Sequence, residues 1–216
     1  MKRLILISAL LFSFNGWAYN EMDLGRIKSL VTFKGPYDDE TVQQRDARMA
    51  WWREARFGLF IHWGVYAVPA GTYKGEQIPN IGEWIMHYAQ IPVAEYQQYA
   101  KQFNPVNYDP EAWVRMAKDA GMKYIVITAK HHDGFALFDT AVSDWDIVEA
   151  TPYGKDVLKP LAEAAQKHGI KLGFYYSQAQ DWHHPGGATW DGNWDPTQDG
   201  NMDDYIRNIA VPQVRE

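Results

Sequence analysis

The sequence predicts an α/β protein with parallel strands and, among such folds, a (β/α)8 TIM-like barrel of which only the first three or so β/α units are present. Three observations carry this expectation. Short apolar runs rich in β-branched and aromatic residues recur three times, a helix-length amphipathic spacer lies between one run and the next, and no G-x-G-x-x-G or P-loop follows any of them. The last point sets aside a dinucleotide-binding, doubly wound sheet. A whole barrel takes roughly 250 residues, so a chain of 216 with three strands reads as one cut short.

The elements follow in order. Lys2 and Arg3, the apolar run Leu4 to Phe14 and the small-x-small exit Gly16-Trp17-Ala18 read as an export signal over residues 1–18. Its removal takes two positive charges from a formal −6 and leaves −8. No other apolar stretch is long enough to cross a bilayer, so the mature chain is expected to be exported, periplasmic or extracellular, and free of the membrane. Residues 19–50 are polar and read as an N-terminal approach segment lying over the domain; residues 51–216 are the incomplete barrel. Arg56 to Gly64 is a nearly continuous apolar run and predicts a strand buried on both faces. Val65 to Ile91 is too long for an ordinary connection and too aromatic for disorder, which makes it ordered and functional.

Helical spacing then sets Tyr96, Tyr99, Ala100 and Phe103 on one face, and Trp113, Met116, Ala117 and Ala120 on another. Asp109 is placed to cap the second helix, Pro110 and Glu111 suit its first turn, and Gly121 suits its left-handed stop. Lys123 to Thr128 is the second strand. A helix beginning near Pro160 points Leu161, Ala164, Ala165 and His168 one way and stops at Gly169. Lys171 to Tyr176 is the third strand. His183 to Asn201 is Trp/Gly/Asp-rich loop, and Asp203 to Val214 starts a helix interrupted by Pro212.

Composition excludes several functions. Twenty-one Lys and Arg against 27 Asp and Glu, with no basic cluster, give no footprint for nucleic acid. The absence of cysteine excludes disulfides and thiolate zinc sites. Ten Trp and 13 Tyr make the chain aromatic enough to fold around rings.

In a barrel the chemistry lies just past the carboxyl ends of the strands. There stand His62-Trp63, Lys130-His131-His132-Asp133-Gly134-Phe135, and Tyr175-Tyr176-Ser177 with Asp181-Trp182. A metal-dependent hydrolase is the weaker reading, because adjacent residues of extended chain point to opposite sides, which keeps His131 from sharing an ion with His132 and His183 from sharing one with His184. No metal ligand is assigned. A sugar site suits the pattern better. Neutral imidazole offers one donor and one acceptor, indole offers an apolar face, and a carboxylate accepts from two hydroxyls, so His62, His131, His132, Trp84 and Glu83 are the candidates. His87 and His168 read as structural, and alternation sends one of Tyr175 and Tyr176 to the core.

The strings Phe57-Gly58-Leu59-Phe60-Ile61-His62-Trp63-Gly64, Gly82-Glu83-Trp84, Lys130-His131-His132-Asp133-Gly134-Phe135 and Gly173-Phe174-Tyr175-Tyr176-Ser177 resemble, in order and spacing, the N-terminal half of the catalytic domain of the α-L-fucosidases of glycoside hydrolase family 29. The resemblance runs from about Trp51 to the end. It implies a barrel, secretion, fucosylated glycans as partners, and hydrolysis of terminal α-L-fucosyl bonds with retention, through an aspartyl-fucosyl intermediate and without a cofactor. By position His62, Glu83, Trp84, His131, His132 and Tyr175 match the fucose-contacting residues, and Tyr176 is left to packing. A retaining glycosidase needs two carboxyl groups about 5 to 5.5 Å apart. The family's nucleophile lies at the end of the next barrel strand and its acid/base later still, so both are expected beyond Glu216 and the 216 residues alone are expected to be inactive. Asp133 and Asp181 match neither position and read as local hydrogen-bonding or turn residues. A noncatalytic fucose-binding remnant is the alternative, ahead of the metal-dependent hydrolase.

Overall fold

Parallel strands form where β-branched and aromatic side chains can be covered by helices, and the computed structural model shows this at three places. It describes residues 37–178, 180–187 and 192–216; the expected export signal and residues 19–36 lie outside them. The chain divides into two units, 1–50 and 51–216.

Thr41 opens helix α1 (Val42–Ala55), which begins in the first unit. Its hydroxyl accepts from Gln44 N while the Gln44 side chain accepts from Thr41 N, a reciprocal cap. Arg48 forks onto Glu40 at 2.7 and 2.6 Å and lies 4.1 Å over the Tyr37 ring. The segment expected here was polar, and the helix has no buried residue and so no apolar stripe; only the Thr-x-x-Gln spacing announces it.

In the second unit β1 (Leu59–Ile61) is followed by the hairpin β2 (Thr72–Tyr73) and β3 (Glu76–Gln77) and by the short helices α2 (Ile85–Tyr88) and α3 (Val93–Ala100). Then come α4 (Pro110–Asp119), β4 (Tyr124–Lys130), α5 (Leu158–His168) and β5 (Lys171–Tyr176), with α6 (Met202–Tyr205) and α7 (Val211–Arg215) closing the chain. The main sheet has the order β1-β4-β5, all parallel, so strands neighbour one another in chain order. Helices α4 and α5 make the two crossovers and pack side by side. Crossovers of one hand put both helices on one face, where Leu59, Ile61, Ile125, Ile127 and Leu172 join Val114, Ala117, Leu161, Ala164 and Ala165 in one core.

Punctuation follows the expected chemistry. Asp109 accepts from Ala112 N at 3.0 Å, and Gly121 and Gly169 sit at φ +85° and +70°. Pro160 is the third residue of α5, where no ladder bond is lost. Past α6 the chain widens into a π turn over Ile206–Ala210 before Pro212, which has no N–H to give.

Two expectations are corrected. The strand at Leu59–Ile61 is not buried on both faces: Phe60 is 51% exposed, because among the described residues no layer covers the face turned from the helices. The inward face of α4 is also rotated. Val114 and Ala117 are buried while Met116 is 61% exposed and Ala120 is exposed, since Val114 is closer to the sheet than the Met116 row.

Candidate functional site

The predicted residues gather at the carboxyl ends of the strands, and local chemistry explains how each arrives. At the end of β1 alternation splits His62 from Trp63. Trp63 turns into the core against Phe103, Tyr108 and Trp113, at ring separations of 5.4, 5.4 and 5.2 Å. His62 stays exposed, 4.5 Å from the Phe60 ring. Thr128 of β4 fixes this exit: its hydroxyl accepts from Trp63 N and donates to Trp63 O, and it lies 3.2 Å from the Tyr66 hydroxyl.

Strand β4 runs to Lys130, two residues beyond the expected Thr128. His131 and His132 therefore lie in the turn that follows, and the argument from strand alternation does not apply to them: their rings are 4.3 Å apart. His183 and His184 are likewise close, at 4.9 Å. Among the described residues, however, no three His, Cys, Asp or Glu side chains come together to hold an ion. His131 reaches His62 at 5.6 Å and stacks on Tyr175 at 5.7 Å, and His132 reaches Trp84 at 5.0 Å. Tyr175 stands 6.5 Å from His62. The long stretch after β1 is ordered, and its Gly82–Trp84 turn delivers Trp84 and Glu83. Trp84 stacks on Tyr88 and meets Trp182 edge-on. Among the described residues Glu83 makes no hydrogen bond or ion pair, and its link to the cluster is its charge, felt at the Tyr66 hydroxyl.

Burial decides the charge of this wall. It lowers His131 to about 3 and His132 to about 4, the Lys130 ammonium adding to the effect and Asp181 opposing it at His132, so both rings are neutral at ordinary pH.

Beneath the wall lies a buried polar knot that sequence reasoning reduced to two turn residues. Lys130, fully buried, gives its ammonium to Asp181 Oδ2 and to the Tyr205 hydroxyl, both at 2.9 Å, and sits 4.7 Å from the Tyr176 ring. Asp181 also accepts from His184 Nδ1, Tyr205 Oη and the backbone amides of His183 and His184. Although burial opposes it, the charge of Lys130, with His184 behind it, holds this carboxyl well below the usual range. Ser143 Oγ lies 2.8 Å from His184 Nε2, so Ser143, His184 and Asp181 stand in the order of a nucleophile relay. With its carboxylate already shared among Lys130, Tyr205 and two amides, Asp181 has little to lend an imidazolium, and the alignment is a structural tie. Asp133, also buried, accepts from Tyr96 Oη at 2.8 Å and from Phe135 N. Tyr176 does more than pack, donating to Gln213 at 2.8 Å. His168 is structural, 2.7 Å from Glu111, and His87 stacks on Trp182. The one signal in the sequence for the knot was a lysine ending an apolar strand.

Both aspartates are buried, at 1% and 0% exposure, and neither is open to a substrate. The neutral imidazoles of His131 and His132, a phenol and an indole gather at one mouth of a parallel α/β scaffold, a chemistry that suits a polyhydroxylated ring. The family model described as Alpha-L-fucosidase matches residues 29–216, and the chain belongs to that family. It is 39% identical over 143 residues to a tissue alpha-L-fucosidase of Rattus norvegicus, covering 62% of this chain and 30% of that protein. The unliganded alpha-L-fucosidase AlfC from Lactobacillus casei superposes with a TM-score of 0.74 at 40% identity, over 79% of this chain and 56% of that one. The same protein in complex with alpha-L-fucose product gives 0.73 at 40% identity, over 77% and 56%. The chain thus spans about a third of the length of the curated relatives it matches and about half of the Lactobacillus chain.

Proposed function

We propose that residues 51–216 form the N-terminal part of a (β/α)8 catalytic barrel in an exported enzyme that hydrolyses terminal α-L-fucosyl bonds of glycans with retention. The observation that carries this reading is the convergence of the aromatic rings of His62, His131, His132, Tyr175 and Trp84 at the strand ends, in a chain of the α-L-fucosidase family. Sequential parallel strands with helices on one face support the barrel. The relative determined with fucose product supports the sugar.

In this reading His62, Glu83, Trp84, His131, His132 and Tyr175 hold the fucose, the imidazoles and the Glu83 carboxylate taking its hydroxyls and Trp84 its apolar face. An aspartate at the end of the strand after β5 attacks the anomeric carbon to give an aspartyl-fucosyl intermediate. A second carboxyl group protonates the leaving oxygen and then activates water.

The test is hydrolysis of 4-nitrophenyl α-L-fucoside by the full-length protein, with the anomer of the first-formed fucose read by NMR. Retention is expected, with KM raised about tenfold or more in His131→Ala, where a hydroxyl loses its partner. Binding of L-fucose with no turnover would favour the noncatalytic reading. Activity is expected to be indifferent to chelator; loss on chelation, restored by a divalent ion, would move the assignment to a metal-dependent hydrolase.

A further inference from the structure

One hydroxyl proton beneath the wall has a single destination, and it decides how His132 presents itself. Ser177, buried at the end of β5, lies 2.6 Å from Gln180 O and 2.6 Å from His132 Nδ1. A carbonyl oxygen only accepts, so the one Ser177 proton goes to Gln180 O, and the His132 contact must run from Nδ1–H to the Ser177 oxygen. A neutral imidazole carries one N–H. Its other nitrogen, Nε2, is therefore a bare lone pair, and it has no partner among the described residues.

The backbone holds the arrangement rigid. Ser177 N donates to Lys130 O, continuing the β4–β5 pairing past the strand end, and Trp182 N donates to His132 O at 2.7 Å. His132 is thus fixed through its main chain, its ring by Trp84 and Trp182, and its protonated nitrogen by Ser177.

We infer that Ser177 is a positioning residue that locks His132 in the Nδ1–H tautomer, so that His132 meets the substrate as a hydrogen-bond acceptor and selects a sugar hydroxyl that donates. This deepens the reading of the site as a fucose site and rests on it. A fucose position bearing a group that cannot donate, such as fluorine or a methyl ether, is rejected there, whereas an imidazole free to turn its proton outward would tolerate it.

The experiment is carried out on the full-length protein with histidines labelled in 15N, the His132 signals being assigned by their loss in His132→Asn. Long-range 1H–15N correlation spectra distinguish the two tautomers directly. The wild type is expected to show Nδ1–H. Ser177→Ala is expected to move His132 toward Nε2–H and to weaken L-fucose binding by about three- to tenfold, the worth of one hydrogen bond, with Ser177→Thr restoring both. An Nε2–H signal in the wild type, or a tautomer unchanged in folded Ser177→Ala, overturns the inference. The wild-type spectrum decides even if the alanine variant does not fold. Absence of L-fucose binding by the wild type would instead overturn the fucose reading, and the two failures are told apart because the tautomer is measured without ligand.

Discussion

Asp133 and Asp181 stand close beneath one wall and are driven in opposite directions. Burial pushes Asp133 up to about 7, and the charge of Asp181 adds to it, while Tyr96, the Phe135 amide and Lys130 pull the other way. The unfolded chain titrates this carboxyl near 4. Its raised value means that the folded state keeps a proton the unfolded state has released, so its contribution to stability is complete below about pH 4 and lost as pH rises through about 7. Asp133→Asn keeps a carbonyl for Tyr96 and removes the titration. Calorimetry in paired buffers should show the melting temperature of the variant gaining on the wild type between pH 4 and 7; a constant gap would mean Asp133 is ionised throughout. The lowered His131 and His132 act with the opposite sign, losing stability as pH falls below about 6.5, but they are common to both proteins and cancel. Lys130 is held against Asp181 at 2.9 Å, both side chains fully buried. Lys130→Met leaves a buried carboxylate without its cation and is expected to cost about 3–5 kcal/mol in denaturant melts, most of it recovered when Asp181→Asn is added. The gathering of His62, His131, His132, Tyr175 and Trp84 was legible because strand ends in a parallel α/β chain face one mouth. The knot was not, since nothing local tells a buried ammonium from an exposed one.

At the scale of the elements, what could be read was what local chemistry determines. The third strand, the cap at Asp109 and the stops at Gly121 and Gly169 follow from propensity and backbone geometry, and all stand where expected. What failed depends on neighbours distant in sequence: the rotation of α4, the exposure of Phe60 and the continuation of β4 to Lys130. The turn after β4 shows the same division. Gly134 sits at φ +74°, which the turn requires, but a side chain there would also overlap the Asp181 carboxylate, which comes from 47 residues later in the chain. Gly121 has a similar φ of +85° and nothing near its missing Cβ. Gly121→Ala should therefore cost only the backbone term, about 1 kcal/mol, and Gly134→Ala distinctly more, with loss of the Lys130–Asp181 pairing. Equal costs in urea melts would show that the turn, and not the knot, demands glycine at position 134.

The whole molecule is governed by the sheet's two faces. Register places Phe60, Val126 and Gly173 in one row, and Tyr124 and Tyr175 lie on the same face, away from α4 and α5. Near its edge Trp51, Trp52, Tyr124, Val126 and Gly173 line a groove of about 400 Å³. On the helix face, where β5 ends the sheet, Phe174 is 53% exposed beside a second groove of about 380 Å³ lined by Phe138, Leu158 and Val214. Among the described residues both β1 and β5 also present a free edge, with backbone groups ready to pair. In a closed barrel further strands would take both edges, the inner face would meet itself, and another helix would cover Phe174. Residues 19–216 produced alone therefore expose apolar area and strand edges together, the combination that drives association. Light scattering after size exclusion should find this polypeptide as oligomers or aggregate, with Phe60→Ser and Phe174→Ser together shifting it toward monomer, while the full-length protein runs at a defined size. A monomeric, cooperatively melting product of residues 19–216 would mean that three strands bury enough by themselves, and the barrel proposed for the whole enzyme would lose its physical motive.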